Sequence, residues 1–178
     1  MDRHDSQESR SRFVDLLHEH QRIVSKVSSV YAAGTDGRED LSQEIVMQLW
    51  RAWPSFRGDS SFATWAFRVA LNTALFQRRK AARDRGHAAD GDPHQIAAPR
   101  MADPMETKEA VELLYECIRT LRELDRAIVL MHLEARPHAE IAEFTGLSTG
   151  NVTVRLHRIK KSLRECLAAR GHVEETTP

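Results

Sequence analysis

The sequence predicts an all-α protein built as two small helical domains joined by a flexible linker, and three observations predict it. Apolar residues recur at three- and four-residue steps through most of the 178-residue chain, as one buried face of a helix demands. No stretch alternates apolar and polar residues as a half-buried strand does. Between about 84 and 105 the period lapses, and Gly86, Gly91, Pro93, Pro99 and Pro104 lie among Ala, Asp and His, the composition of a linker.

In the first domain, Phe13, Leu16, Leu17, Ile23, Val24, Val27 and Val30 set an amphipathic helix from Phe13 to Tyr31. Ala33-Gly34-Thr35-Asp36-Gly37 breaks it. A second helix, roughly 38 to 52, turns Leu41, Ile45, Val46, Leu49 and Trp50 inward, leaves Asp40, Gln43, Glu44 and Gln48 on its surface, and ends at Pro54. The polar loop Arg57-Gly58-Asp59-Ser60-Ser61 follows, and Ser60 or Ser61 caps a long helix from about Phe62 to Arg83. Beyond the linker, Val111, Leu114, Cys117, Ile118 and Leu121 mark one helix, Arg126 to Leu133 another, and His138 to Phe144 a short third. Gly146-Leu147-Ser148 turns the chain into a last helix from about Thr149 to Ala169.

The 41% hydrophobic content suffices for packed cores. The 26 basic and 26 acidic residues cancel, so only their distribution bears on a polyanionic partner. That distribution is uneven: residues 76–86 and residues 151–165 each carry five Lys or Arg against one acid. Two basic stripes on a neutral chain predict two separate polyanion contacts. Cys117 and Cys166 are too far apart in sequence for a metal-ligand pair and no signal peptide precedes them, so a cytoplasmic, reducing setting is expected. Cys117 shares a helical face with Leu113, Leu114 and Leu121, which predicts a buried free thiol. No apolar run approaches the ~20 residues that cross a bilayer, so no membrane insertion is expected.

Residues 138–163 have the pattern of a helix-turn-helix. Ala142 is small where two helices cross, Gly146 suits the left-handed position after a helix end, Leu147 fills the gap and Ser148 caps the second helix. On that helix Val152, Leu156, Ile159 and Leu163 share one buried face; Gly150, Val154, His157 and Lys161 lie opposite, flanked by Thr153, Arg158 and Arg164. Short side chains at the start and cations beyond suit a major groove. There Arg158 can read guanine, Thr153 or Val154 can meet a thymine methyl, and Arg155, Lys160 and Arg164 can hold phosphates.

In the first domain Phe56, Phe62, Trp65, Phe67 and Phe76 crowd around the polar loop and a helix that ends in Gln77-Arg78-Arg79-Lys80. Aromatics beside cations are what a single-stranded site needs; Trp65 and Phe76 serve equally well as core.

The stretches REDLSQEIVMQLWRAW (38–53) and FRGDSSFATWAFRVALNTALFQRRK (56–80) resemble the second region of extracytoplasmic-function (ECF) sigma factors. LRELDRAIVLMHLEARPHAEIAEFTGLSTGNVTVRLHRIKKSLRE (121–165) resembles their fourth region. The resemblance implies region 2 over 10–84, a linker over 85–106 and region 4 over 107–170. It implies that Asp40, Gln43 and Glu44 grip a coiled coil of the largest RNA polymerase subunit, and that region 4 meets the flap. Arg57, Asp59, Ser60, Ser61 and Phe62 then form the loop that captures a base flipped from the minus-ten element, Asn72 lines its pocket, and Arg78, Arg79 and Lys80 hold the strand. Thr149, Asn151, Thr153, Val154, Arg155, His157, Arg158 and Lys161 then face the minus-thirty-five element. Asn151 and Thr153 stand where Thr and a basic residue are common, and Arg136-Pro137 stands where the family usually has a capping Ser or Thr. An anti-sigma factor is the usual further partner. Past residue 170 nothing resembles the extra carboxyl-terminal domain of some groups.

Two other functions compete. A plain helix-turn-helix regulator needs neither the 40–44 motif nor the 57–62 loop. An enzyme on nucleotides or nucleic acid needs a phosphate-binding glycine loop, a zinc motif or a nucleophile with its base, and His4, His18 and His20 lack plausible ligand partners. The expectation is a promoter-directing factor without catalytic residues, cofactor or metal.

Overall fold

The computed structural model describes residues 2–32, 34–84 and 105–170, and their helices fall into two compact units, Met1–Ala89 and Asp90–Pro178. Unit 1 holds α1 (Asp2–Glu19), α2 (Gln21–Tyr31), α3 (Gly34–Ala52), a short 3-10 turn (Trp53–Ser55) and α4 (Phe62–Asp84). Unit 2 holds α5 (Met105–Thr120), α6 (Glu123–Leu133), α7 (His138–Thr145) and α8 (Thr149–Ala169). No strand occurs among the described residues. The expected linker lies outside them, except that Met105 and Glu106 already belong to α5.

Unit 1 is a bundle of α2, α3 and α4, each packed on the other two. Ile23, Val24, Val27 and Val30 from α2 meet Leu41, Ile45 and Leu49 from α3 and Phe67, Ala70, Leu71 and Ala74 from α4, all buried. The two alanines let the α4 backbone come close to its neighbours. Ser28 is buried too; its hydroxyl bonds Val24 O at 2.9 Å and lies 2.9 Å from Ser42 Oγ, so a polar pair sits satisfied between α2 and α3.

Three expectations change. The helix expected over 13–31 is two, because His20 leaves helical geometry at φ −106°, ψ 17° and restarts the ladder at Gln21. The expected five-residue break after Tyr31 shrinks, with α3 already under way at Gly34, whose φ of 72° suits a residue without a Cβ. Trp50, expected inside, is 43% exposed, because Leu49 takes the inward position and its neighbour lies about 100° around the helix.

In unit 2, α8 lies against α5, α6 and α7 and supplies Val152, Leu156, Ile159 and Leu163 to a core with Cys117, Ile118, Ala127, Ile128, Val129, Leu130, Met131 and Ile141. The helix-turn-helix forms as expected. Gly146 adopts φ 70°, Leu147 N–H donates to Ala142 O at 3.2 Å, and Ser148 Oγ accepts from Asn151 N–H at 3.2 Å. Pro137 is the N-cap of α7 and offers no side-chain acceptor; its carbonyl accepts from Glu140 and Ile141 N–H. Cys117 is not the free thiol expected: it is disulfide-bonded to Cys166 across α5 and α8. Their Cα atoms are 5.9 Å apart, a separation that only the packed helices create.

Candidate functional site

Three surfaces carry the candidate residues. On α3, Leu41, Ile45 and Leu49 turn inward, and Ser42 leans on Ser28. The opposite arc presents exposed Asp40 and Gln43 with half-buried Glu44, whose Oε1 accepts from Gln48 Nε2 at 2.7 Å. The same arc holds two residues that sequence reasoning did not assign to it: Met47, 45% exposed, and Trp50. Residues 40, 43, 47 and 50 step by three or four, so acid, amide and apolar groups form one stripe. That step was legible; Met47 had been given to neither face, and the error lay in turning Trp50 inward with Leu49.

The second surface joins the 57–61 loop to α4. Arg57, Gly58, Asp59, Ser60 and Ser61 are all exposed, and Gly58 has φ 80° with no atom within 4 Å of a Cβ placed there. Ser61 is the cap: its Oγ accepts from Thr64 N–H at 3.2 Å. Beneath the loop is an aromatic cluster. Phe56 lies 5.1 Å from Trp65 and 5.5 Å from Trp53, and Phe62 lies 5.5 Å from Trp65. Phe62 was expected to face DNA, but it is 6% exposed and touches Phe13, His20, Trp53, Phe56 and Trp65. Its ring therefore supports the loop from below. Phe67 is likewise core.

Along α4 the positions 65, 68, 72, 76, 79 and 83 fall on one face. Trp65 and Arg68 are half-buried there, while Asn72, Phe76, Arg79 and Arg83 are exposed, with Lys80 beside them. Phe76, equally eligible for core or surface from sequence, is 59% exposed. Arg78 is half-buried.

The third surface is the outward face of α8. Thr149, Gly150, Asn151, Thr153, Val154, His157, Arg158 and Lys161 are all exposed, Val154 at 52%. Lys161 lies 3.9 Å from Glu165 one turn on, a contact worth little at this exposure. Arg155 differs from the expectation: it is half-buried and its Nε sits 3.5 Å from Asp125 Oδ1 on α6, so its charge helps join α8 to α6. Thr153 Oγ1 lies 3.1 Å from His138 Nδ1, which ties the start of α7 to this face. His132 stands beside His138, with ring centroids 6.2 Å apart, and burial, then Lys160 and His138, push its pKa below the ordinary 6.5.

These two units match known families. Residues 16–84 match the family described as Sigma-70 region 2, and residues 111–163 match Sigma-70, region 4. The ECF RNA polymerase sigma-E factor of Escherichia coli (strain K12) is 30% identical over 158 residues, covering 83% of this chain and 82% of that protein. The sigma-E factor of Haemophilus influenzae is 29% identical over the same length. The chain belongs to the ECF sigma factors of the sigma-70 family. Among solved structures it resembles the sigma factor RpoE of Bartonella quintana, determined with the anti-sigma factor NepR, at 18% identity and TM-score 0.67, over 91% of this chain and 98% of that one. It also resembles CnrH, determined with the cytosolic domain of CnrY, at 19% identity and TM-score 0.62, over 92% and 94% of the two chains. Those two likenesses concern the fold.

As an ECF sigma factor the chain is a transcription initiation factor for promoter recognition by RNA polymerase, and its helix-turn-helix is the DNA-binding part of region 4. The α3 stripe and the loop–α4 face both lie in the region 2 match, and the α8 face lies in the region 4 match. No described helix is long and apolar enough to cross a membrane.

Proposed function

We propose that the three surfaces divide the work of initiation. Asp40, Gln43 and Glu44, extended by Met47 and Trp50, bind the coiled coil of the largest polymerase subunit. Arg57, Asp59, Ser60 and Ser61 take a flipped minus-ten base with Asn72, and Arg78, Arg79 and Lys80 hold the strand. Thr149, Asn151, Thr153, Val154, His157, Arg158 and Lys161 read the minus-thirty-five element, while region 4 rests on the flap. Region 2 spans 10–84 and region 4 spans 107–170. The protein has no catalytic chemistry of its own, works in the cytoplasm, and is held in check by an anti-sigma factor, by analogy with the complex of RpoE with the anti-sigma factor NepR.

One observation carries this reading: Asp40, Gln43 and Met47 are exposed along one stripe of α3, opposite its core face, and the stripe runs on to Trp50, which packs edge-on against Phe13 with centroids 5.1 Å apart and is still 43% exposed. A surface of that kind, opposite a packed core, is what a partner protein buries. The test is core affinity. Asp40→Lys with Glu44→Lys should weaken binding to polymerase core at least tenfold while circular dichroism and melting stay unchanged, since neither carboxylate packs inside. Unaltered affinity in the folded double variant contradicts the assignment.

A further inference from the structure

Within unit 2 the Cys117–Cys166 pair lies off the outward face of α8. Cys117 is fully buried on α5 and Cys166 half-buried on α8, with a sequence separation of 49. Next to it, Arg170 Nη1 donates to Glu116 Oε2 at 2.8 Å, so two links join α5 to the C-terminal half of α8. Cys166 falls on the same side of α8 as Val152, Leu156, Ile159 and Leu163, opposite His157 and Lys161. The bond therefore leaves the outward face of α8 open and acts on what backs it.

Disulfides persist in oxidising compartments and are transient where small thiols keep cysteines reduced. A protein that serves RNA polymerase works in the second setting. We propose that Cys117 and Cys166 form a reversible dithiol–disulfide site whose co-reactant is a low-molecular-weight disulfide, and that oxidation fastens α5 to the recognition helix of region 4. Cys166 is the more exposed sulfur, so its thiolate attacks first. The S–S bond of the co-reactant breaks, a mixed disulfide forms on Cys166 and one small thiol leaves. The Cys117 thiolate then attacks Cys166 Sγ, the protein disulfide forms and the second small thiol leaves. Two electrons pass from the cysteines to the co-reactant, and the two thiol protons end on the departing thiols. The closed loop restricts the unfolded chain, so the oxidised unit is the more stable one.

The full chain, equilibrated with mixtures of oxidised and reduced glutathione and then alkylated, gives the test by mass spectrometry. Both thiols should vanish together as the oxidised fraction rises and return together with excess reduced glutathione, and the oxidised region 4 should melt about 10 °C higher. Thiols that stay reactive at every ratio, a bond that opens only in denaturant, or equal melting of the two forms overturns the proposal. Cys117→Ser should leave Cys166 carrying one glutathione, whereas folded Cys166→Ser should leave Cys117 unmodified; the reverse pattern also overturns it, and the Ala variants repeat the comparison if a Ser variant fails to fold. In holoenzyme the oxidised form should bind minus-thirty-five duplex several-fold more tightly, and equal affinity overturns the regulatory consequence. That last arm rests on the region 4 reading, whereas the thiol titration does not. A working titration in a protein that never binds core would therefore be a failure of the functional reading alone.

Discussion

Arg155 and Arg158 stand three positions apart on one helix, and their surroundings give them different work. Arg155 leans on Asp125, whereas Arg158 is exposed beside the outward face of α8. Arg158→Ala should therefore cost ~1 to 3 kcal/mol on the cognate minus-thirty-five sequence and relax preference at one base pair. Lys160, nearer the flank, should on replacement by Ala weaken all sequences alike and lower the salt dependence by roughly one phosphate contact. Both are read on holoenzyme with a promoter library at two salt concentrations; base preferences altered by Lys160→Ala and not by Arg158→Ala would reverse the orientation of α8 in the groove. In region 2, Asn72 is exposed on the stripe of α4 and its amide can both donate and accept. Asn72→Ala should reduce permanganate reactivity of promoter thymines more than it reduces duplex binding; equal losses would give Asn72 a role in the fold alone. Residue chemistry on α8 was legible because one helix carries its own periodicity. The disulfide was not, since no local pattern brings positions 117 and 166 together; only the packing of α5 on α8 does. Phe76 was undecided for a related reason: its helix has apolar residues on more than one side, and the space left by α2 and α3 decides which are covered.

Among the elements, those closed by their own end residues were the most legible. Ser148 and Gly146 specify the helix-turn-helix turn from sequence, and Ser61 marks the start of α4, because each acts through backbone bonds within a few residues. The join of α1 and α2 lacks such a signal: His20 has no Gly or Pro beside it, and its ring rests on Phe62 with centroids 5.6 Å apart, a contact from a distant element. The turn after α6 contains a strained position. Ala135 has φ 54°, and the following Arg136 N–H reaches back to Met131 O at 3.0 Å, the closing bond of a glycine-type helix end. Ala135→Gly should stabilise unit 2 by ~0.5 to 1 kcal/mol, less than the full cost of the left-handed alanine because glycine also frees the unfolded chain. Urea unfolding measures it, and a loss of stability would mean that the methyl group packs usefully in that turn.

At the scale of the whole molecule, the chain is divided into two compact units, one holding the Sigma-70 region 2 match and the other the region 4 match. Neutral net charge conceals an uneven distribution, since α4 and α8 carry two basic stripes, at 76–86 and 151–165, while Asp103, Glu106, Glu109, Glu112, Glu116, Glu123 and Asp125 concentrate acid in the sequence between them. On the proposed function, region 2 and region 4 should each choose DNA, and only when polymerase core is held. The measurement that tests it most directly is run-off transcription by core plus this protein on a randomised promoter library, with sequencing of the templates transcribed. Two enriched blocks separated by a fixed spacer are expected, the upstream block losing information at one position in Arg158→Ala and the downstream block weakened in Asn72→Ala. Enrichment of a single block, or transcripts whose templates are the same with and without this protein, would contradict it.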